Sequence, residues 1–302
     1  MSTAPLPSGI SLEYDTFGSS GDPALLLVMG FGAQMILWDE RFCELLAERG
    51  RFVIRFDNRD CGLSGKLDGR PVDAGAVVSA AIMGGPLPEV PYTLSDMAAD
   101  AIGLLDHLGI GHAHVAGASM GGMIVQTMAI DHPRRLLSVT SIMSTIGDPQ
   151  FGQPSAEAMA ALLAPPPRTR EETIARSAIA AAWGSRRYFD PARAADLAGR
   201  AFDRSFYPEG IMRQMAAMVA SGDRTALLPT VTTPMLVIHG LDDRLISPTG
   251  GRRTAELVPG AHLLELADMG HDLPEPLWPL IVGAIIAHGD VAAASAAIGA
   301  AV

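Results

Sequence analysis

One short stretch around Ser119 most limits the folds open to this 302-residue chain. An apolar run, residues 113–116, breaks into glycines on either side of the serine and then continues as an apolar helical pattern. This pattern predicts a strand, a sharp turn and a helix, in which Gly117 and Gly121 avoid a collision across the turn. The pattern of residues 117–121, with glycine two positions before and two after a serine, also arises by chance. The alternative interpretation is that Ser119 only caps the helix.

The rest of the chain alternates apolar strand-like runs with amphipathic helical ones. Strands are predicted over residues 10–17 (an edge strand), 24–29, 52–56, 112–116, 136–143, 234–239 and 261–266. A helix beginning at Thr93 carries a cap formed with Asp96. This order predicts an α/β fold with a mostly parallel central sheet flanked by helices on both faces. For the irregular residues 65–92, a short entrance helix and simple surface padding are equally open.

Residues 147–229 differ from this alternating pattern, because they contain no strand-like run and their helical segments are broken by prolines. We predict a helical cap over 147–229, inserted between strands of a core domain formed by residues 1–146 and 230–302. Apolar cap residues such as Trp183 and Met215 are candidates for a substrate pocket.

Composition excludes several classes of partner. The formal net charge of −11 argues against nucleic acid and anionic membrane surfaces. Cys43 and Cys61 are too few for a disulfide framework or a structural zinc site, and we interpret them as small buried hydrophobic residues. No signal peptide or membrane-spanning stretch is predicted, which makes a cytoplasmic protein the default expectation. No metal or organic cofactor is expected, and the oligomeric state stays open.

A serine hydroxyl becomes a nucleophile only when a histidine takes its proton and a carboxylate orients that histidine. Asp242 and Asp243 follow the strand at 234–239, and His271 follows the strand at 261–266. Because carboxyl ends of parallel strands share one sheet edge, these residues are predicted to meet Ser119, in the chain order expected for such a turn. Of the other histidines, which are His107, His112, His114, His132, His239, His262 and His288, only His239 ends a strand near this edge.

These motifs resemble those of the α/β-hydrolase superfamily of small serine esterases, and within it the anthracycline methyl esterases. The matching segments are 25–30 (LLLVMG), 29–32 (MGFG), 57–64 (DNRDCGLS), 112–121 (HAHVAGASMG), 239–243 (HGLDD) and 270–271 (GH). Together they cover about residues 8–288 of the sequence.

The resemblance implies a two-step cleavage of a carboxylic ester through an acyl-enzyme, with Ser119, Asp243 and His271 as the catalytic residues. Asp243 is favoured over Asp242 by the family spacing. The resemblance also implies an oxyanion hole formed by the backbone amides of Phe31 and Met120. The expected partner is a small-molecule ester, hydrophobic if the apolar cap lines the pocket, with a methyl ester as one form. Pocket candidates are Gly30, Gly32, Met143, Trp183 and Met215.

Two departures from the family pattern stand out. Relatives begin the first loop with His-Gly where this chain has Met29-Gly30, and Asp60 stands where a glycine is common. Two alternatives also remain, a cofactor-free haloperoxidase or perhydrolase on the same three residues and a non-catalytic small-molecule receptor. Epoxide hydrolase and haloalkane dehalogenase are disfavoured, because those enzymes use an aspartate where this chain has Ser119.

Overall fold

The computed structural model describes residues 1–162, 164 and 166–300, with side chains described as far as residue 295. Over these residues the chain forms eight strands, which are β1 (Ser2–Pro5), β2 (Ser11–Phe17), β3 (Ala24–Val28), β4 (Phe52–Phe56), β5 (Ala113–Ala118), β6 (Leu136–Ile142), β7 (Met235–Gly240) and β8 (His262–Leu266).

The α-helices of the described residues are α1 (Glu40–Ala47), α2 (Ala74–Met83), α3 (Leu94–His107), α4 (Met120–Asp131), α5 (Ala156–Leu162), α6 (Arg170–Ser177), α7 (Pro191–Arg204), α8 (Pro208–Ser221), α9 (Pro248–Leu257) and α10 (Trp278–Ala300). Short 3-10 helices occupy Met35–Leu37, Pro133–Arg135, Ala178–Ala182, Leu228–Thr230 and Glu275–Leu277.

All eight strands form one sheet in the order β1-β2-β4-β3-β5-β6-β7-β8. Strands β3 to β8 pair in parallel, and β1 and β2 add an antiparallel end. The expectation that residues 10–17 form an edge strand is wrong, because β1 pairs with the outer side of β2. The polar segment that forms β1 carries Pro5, and proline is tolerated in an edge strand but is not typical of a strand pattern.

Strand β3 shows how the sheet separates two cores. Leu26 and Val28 pack in the core that α3 and α4 cover, whereas Leu25 and Leu27 pack in the core that α1 and α10 cover. Successive side chains of a strand point to opposite faces, so a wholly apolar strand is buried on both. The predicted parallel sheet with helices on both faces is confirmed.

The irregular segment 65–92 contains helix α2, capped by the side chain of Asp73 and ended by Gly84 in the left-handed region. Ala74 and Val77 of this helix pack against Ala216 of α8. Of the two alternatives left open for this segment, the structure therefore contains the short helix, and its role at an entrance stays a prediction. The capping box of Thr93 and Asp96 is also confirmed at the start of α3.

The described part of residues 147–229 contains helices α5 to α8 and no strand, and it lies in the chain between the adjacent strands β6 and β7. A cap domain with these bounds stays a prediction.

Helix α10 corrects one expectation about the membrane. Among the described residues, the stretch Glu275–Ser295 is long and apolar enough to cross a bilayer. Of an 18-residue apolar part of this stretch, 44% is buried inside the protein. Ile281, Val282 and Ile285 of this stretch pack in the core beneath the sheet. Buried core helices share this composition, so the stretch does not by itself indicate a membrane span.

Candidate active site

Ser119 lies in the sharp turn between β5 and α4 with φ 57° and ψ −118°. A Cβ atom on Gly117 would lie 2.1 Å from the carbonyl oxygen of Gly121, and one on Gly121 would lie 2.0 Å from that of Val28. Real Cβ atoms do not approach backbone oxygens so closely, so both positions require glycine. The predicted strand, turn and helix are confirmed.

Three side chains from separate loops form a continuous hydrogen-bonded chain. Nε2 of His271 lies 2.9 Å from Oγ of Ser119, and Nδ1 of His271 lies 2.7 Å from Oδ2 of Asp243. An ionised carboxylate only accepts hydrogen bonds, so Nδ1 carries the proton. Nε2 is then free to accept the proton of the serine hydroxyl.

The carboxylate of Asp243 is buried and held at both oxygens. Its Oδ1 accepts hydrogen bonds from the amides of Leu245 and Ile246, each at 2.9 Å. Burial alone would raise the pKa of Asp243, but the neighbouring imidazoles of His271 and His239 lower it to about 2. Asp243 is therefore ionised at neutral pH, whereas the adjacent Asp242 is half-buried and contacts the site's loops through its backbone amide, which donates to Met269.

His239, the other candidate base, lies behind the carboxylate rather than beside the serine. Its Nε2 donates to the carbonyl of Ile246 at 2.8 Å and lies 3.4 Å from Oδ2 of Asp243. The ring is fully buried, and its Nδ1 has no hydrogen-bond partner within the described residues. Among the described residues, His239 therefore contacts Asp243 and not Ser119.

The amides of Phe31 and Met120 are free to donate to a ligand. Within the part of the chain that the structure describes, neither has a hydrogen-bond acceptor. Met120 is the first residue of α4, and a helix N-terminus favours negative charge. The Phe31 loop is close to Ser119, because a Cβ on Gly30 would lie 3.1 Å from Cβ of Ser119.

A family model described as the alpha/beta hydrolase fold matches residues 23–275. The chain belongs to the α/β-hydrolase family.

Similarity to individual proteins is consistent with this family membership. The chain is similar to rhodomycin D methylesterase DnrP of Streptomyces peucetius, with 30% identity over 92% of this chain and 95% of that protein. It is 26% identical to 3-oxoadipate enol-lactonase 2 of Acinetobacter baylyi over 87% of this chain and 86% of that protein. The crystal structure of the enol-lactonase from Burkholderia xenovorans LB400 is similar in fold, with a TM-score of 0.73, 24% identity, and coverage of 95% of this chain and 99% of that one.

The first departure of this α/β hydrolase from the family pattern is at Met29. Nδ2 of Asn58 donates to the carbonyl of Met29 at 2.8 Å, which fixes the start of the glycine-bearing loop. The amide of Gly32 donates to Oε1 of Gln214 on α8, also at 2.8 Å. Sequence reasoning missed both braces, although Asn58 lies inside one of the matching motifs.

The second departure, Asp60, has a structural explanation. Its φ is 64°, in the left-handed region that favours glycine and that aspartate tolerates better than most residues. The side chain is buried and receives two hydrogen bonds from Arg213 of α8, at 2.8 and 2.9 Å. Compared with glycine, Asp60 is less favourable at this backbone angle, but it forms an ion pair between this turn and α8.

The five predicted pocket residues lie in different parts of the structure. Gly30 faces Ser119, and Gly32 lines a cleft described below. Met143 is buried directly after β6, between two residues that contact the Ser119 backbone, Ile142 and Ser144.

Trp183 and Met215, the two candidates from residues 147–229, contact other parts of the protein. The carbonyl of Trp183 accepts from the amide of His271 at 2.8 Å. Met215 packs with Ala74 and Val77 of α2. For all five residues, contact with substrate stays a prediction.

A cleft of about 160 Å³ lies between the glycine-bearing loop and helices α6 to α8. Most of its lining is apolar and includes Gly32, Cys61, Phe202, Phe206 and Ile211. The rings of Phe202 and Phe206 are tilted by 33° to each other, with centroids 4.7 Å apart. The residues that line the cleft do not include Ser119, His271, Phe31 or Met120.

The loop that carries His271 is fastened to the segment 183–185. The side chain of Ser185, which is fully buried, donates to Asp272 and accepts from the amide of Gly270 at 3.0 Å. A Cβ on Gly270 would lie 2.3 Å from the carbonyl carbon of Gly184, so the two backbones are in close contact. This contact fixes the histidine loop, and the sequence motifs contained no signal for Ser185 or Asp272. Among the described residues, no cluster of three or more histidine, cysteine or acidic side chains could hold a metal ion.

Proposed function

We propose that the chain hydrolyses a carboxylic ester through an acyl-enzyme, with Ser119 as nucleophile, His271 as general base and acid, and Asp243 as the orienting carboxylate. The observation that carries the proposal is the hydrogen-bonded chain from Ser119 through His271 to Asp243. The family membership and the named methylesterase and enol-lactonase relatives support an ester hydrolase.

In the first step, Nε2 of His271 takes the proton of Ser119 while Oγ forms a bond to the ester carbonyl carbon. The carbonyl oxygen becomes an oxyanion, which the amides of Phe31 and Met120 stabilise. His271 then gives its proton to the leaving alcohol as the ester bond breaks. In the second step, His271 takes a proton from water, the resulting hydroxide attacks the acyl carbon, and Ser119 recovers its proton as the acid leaves.

We further propose that the ester is hydrophobic, with a methyl ester as the narrower form. The apolar lining of the cleft beside Gly32 supports the first part. The similarity to proteins named rhodomycin D methylesterase supports the second.

Two experiments test these proposals. A fluorophosphonate probe is expected to label the protein at Ser119, and Ser119→Ala is expected to lose both labelling and ester hydrolysis while its thermal unfolding stays within a few degrees. A series of p-nitrophenyl esters with increasing acyl length is expected to give rising kcat/KM. Highest activity on charged or strongly polar esters would contradict the substrate proposal.

The alternatives keep separate outcomes. Bromination with an organic acid and peroxide, faster than ester hydrolysis under matched conditions, would favour perhydrolase chemistry on the same residues. Absence of probe labelling on the folded protein would favour a non-catalytic receptor.

A further inference from the structure

Gln214 connects helix α8 to two backbone groups beside the proposed oxyanion hole. Its Oε1 accepts from the amide of Gly32 at 2.8 Å, and its Nε2 donates to the carbonyl of Arg59 at 3.0 Å. The side chain is 1% exposed. Because one partner only donates and the other only accepts, both ends of the amide group are matched and its orientation is fixed.

The loop that Gln214 contacts has one turn hydrogen bond of its own, from the amide of Ala33 to the carbonyl of Gly30 at 3.3 Å. Gly30 and Gly32 flank Phe31, and Gly32 has φ +63°. Glycine allows a wide range of backbone angles, so such a loop needs external contacts to hold one peptide orientation. The contact from Asn58 ends at Met29, before the Phe31 amide, and the contact from Gln214 begins at Gly32, after it.

We propose that Gln214 is a positioning residue, which holds the Phe31 amide in the direction of the developing oxyanion. The inference rests on the proposed function. Gln214 would hold the loop in this chain, which has Met29-Gly30 where relatives have His-Gly. Gln214 touches neither Ser119 nor His271 in the hydrogen-bond network, so it acts through the loop.

The expected effect appears in the chemical step. Loss of one oxyanion donor lowers kcat by about 10²–10³ in enzymes of this mechanism, and a displaced donor loses part of that. Gln214→Met keeps the length of the side chain and removes both hydrogen bonds. We expect its kcat to fall by about ten- to hundredfold with KM within about threefold. The rate of fluorophosphonate labelling of Ser119 is expected to fall by a similar factor, because phosphonylation also develops charge on an oxygen.

Arg213→Lys is the matched control, because Arg213 is the neighbouring residue on α8 and binds Asp60 rather than the loop. We expect this variant to unfold at a lower temperature and to keep kcat within about twofold. An equal loss of kcat in Arg213→Lys would overturn the inference, because general docking of α8 would then explain both effects. Unchanged kcat in Gln214→Met, or a change confined to KM, would also overturn it.

A measurement on the unaltered protein covers the case in which Gln214→Met does not fold. Hydrogen exchange at the Gly32 amide is expected to be slower than at the Phe31 amide by tenfold or more, because of these two amides only that of Gly32 has an acceptor among the described residues. Equal, rapid exchange at both amides would overturn the inference. A parent protein that the probe does not label would contradict the proposed function itself, whereas a labelled parent with an unaffected Gln214→Met contradicts the positioning role alone.

Discussion

Oδ2 of Asp243 lies 2.7 Å from Nδ1 of His271, while the other oxygen of the same carboxylate holds the backbone of its own loop. Asp243 therefore orients the ring of His271 with one oxygen and fixes the backbone of its own loop with the other. Asp243→Asn keeps the shape of the side chain but can place an N–H donor opposite Nδ1 of His271. This arrangement disfavours the tautomer in which Nδ1 carries the proton. We expect kcat to fall by about 10⁴ on steady-state assay. Asp242→Asn, the matched control, is expected to stay within about twofold, and the reverse order would contradict the proposed assignment.

The turn at Ser119 is expected not to tolerate even one added methyl group at Gly117. In Gly117→Ala the new Cβ would lie 2.1 Å from the Gly121 carbonyl oxygen, so we expect a loss of about 4 kcal/mol or more in the free energy of unfolding. Gly111→Ala, at an exposed site with no heavy atom within 4 Å of the added Cβ, is the control and should change it by less than about 0.5 kcal/mol. Chemical denaturation measures both, and equal stabilities would show that the turn relaxes.

Both thiols are expected to be unreactive in the folded protein. Burial raises the pKa of Cys43 and of Cys61 to about 12, so thiolate is scarce at pH 8. Titration with a disulfide reagent should release no fast equivalent from the native protein and two equivalents after denaturation. A rapidly reacting native thiol would indicate that the cleft beside Cys61 opens widely.

Acid is expected to destabilise the protein partly through His114. Burial, with the nearby charges of Arg51 and His288, lowers its pKa to about 4. The unfolded chain binds this proton near pH 6.5 and the folded chain near pH 4, so stability is full above pH 6.5 and falls as the pH drops towards 4. The contribution is about 3 kcal/mol at most. His114→Asn should flatten this slope in urea unfolding, whereas His112→Asn, at an exposed position, should leave it unchanged.

The ion pair of Asp60 and Arg213 is expected to show strong coupling. Arg213→Met leaves a buried carboxylate without its partner and should cost about 3–5 kcal/mol of unfolding free energy. Asp60→Gly combined with Arg213→Met removes that charge and restores the residue suited to φ 64°, so we expect the double variant to be more stable than Arg213→Met alone. Additive losses in a double-mutant cycle would contradict the pairing.

Local signals in the sequence predicted much of this molecule. The apolar runs predicted the parallel strands to within two residues, because strands buried on both faces have few polar positions. The turn at Ser119 was predictable because its glycines answer a steric demand within five residues. The segment that forms β1 gave no such signal, since its four residues gain their structure only from pairing with β2.

The supports of the site depend on contacts that are distant in sequence. Gln214 and Gly32 are 182 positions apart, and Ser185 and Asp272 are 87 apart. A glutamine in a helical pattern or a serine after a glycine predicts an ordinary surface residue, and only the packed chain brings each to a loop of the site. The contact of Asp60 with Arg213 likewise joins residues 153 positions apart.

The region of helices α5 to α8 contacts both loops near Ser119. Gln214 binds the loop at Gly32, and Trp183 and Ser185 bind the loop that carries His271. Chimeras that exchange this region for that of another family member, a common route to new substrate preference, would therefore also exchange parts of the catalytic frame. A graft that retains Gln214 and the Trp183-Gly184-Ser185 segment at their present contacts is the design most compatible with turnover on a new substrate.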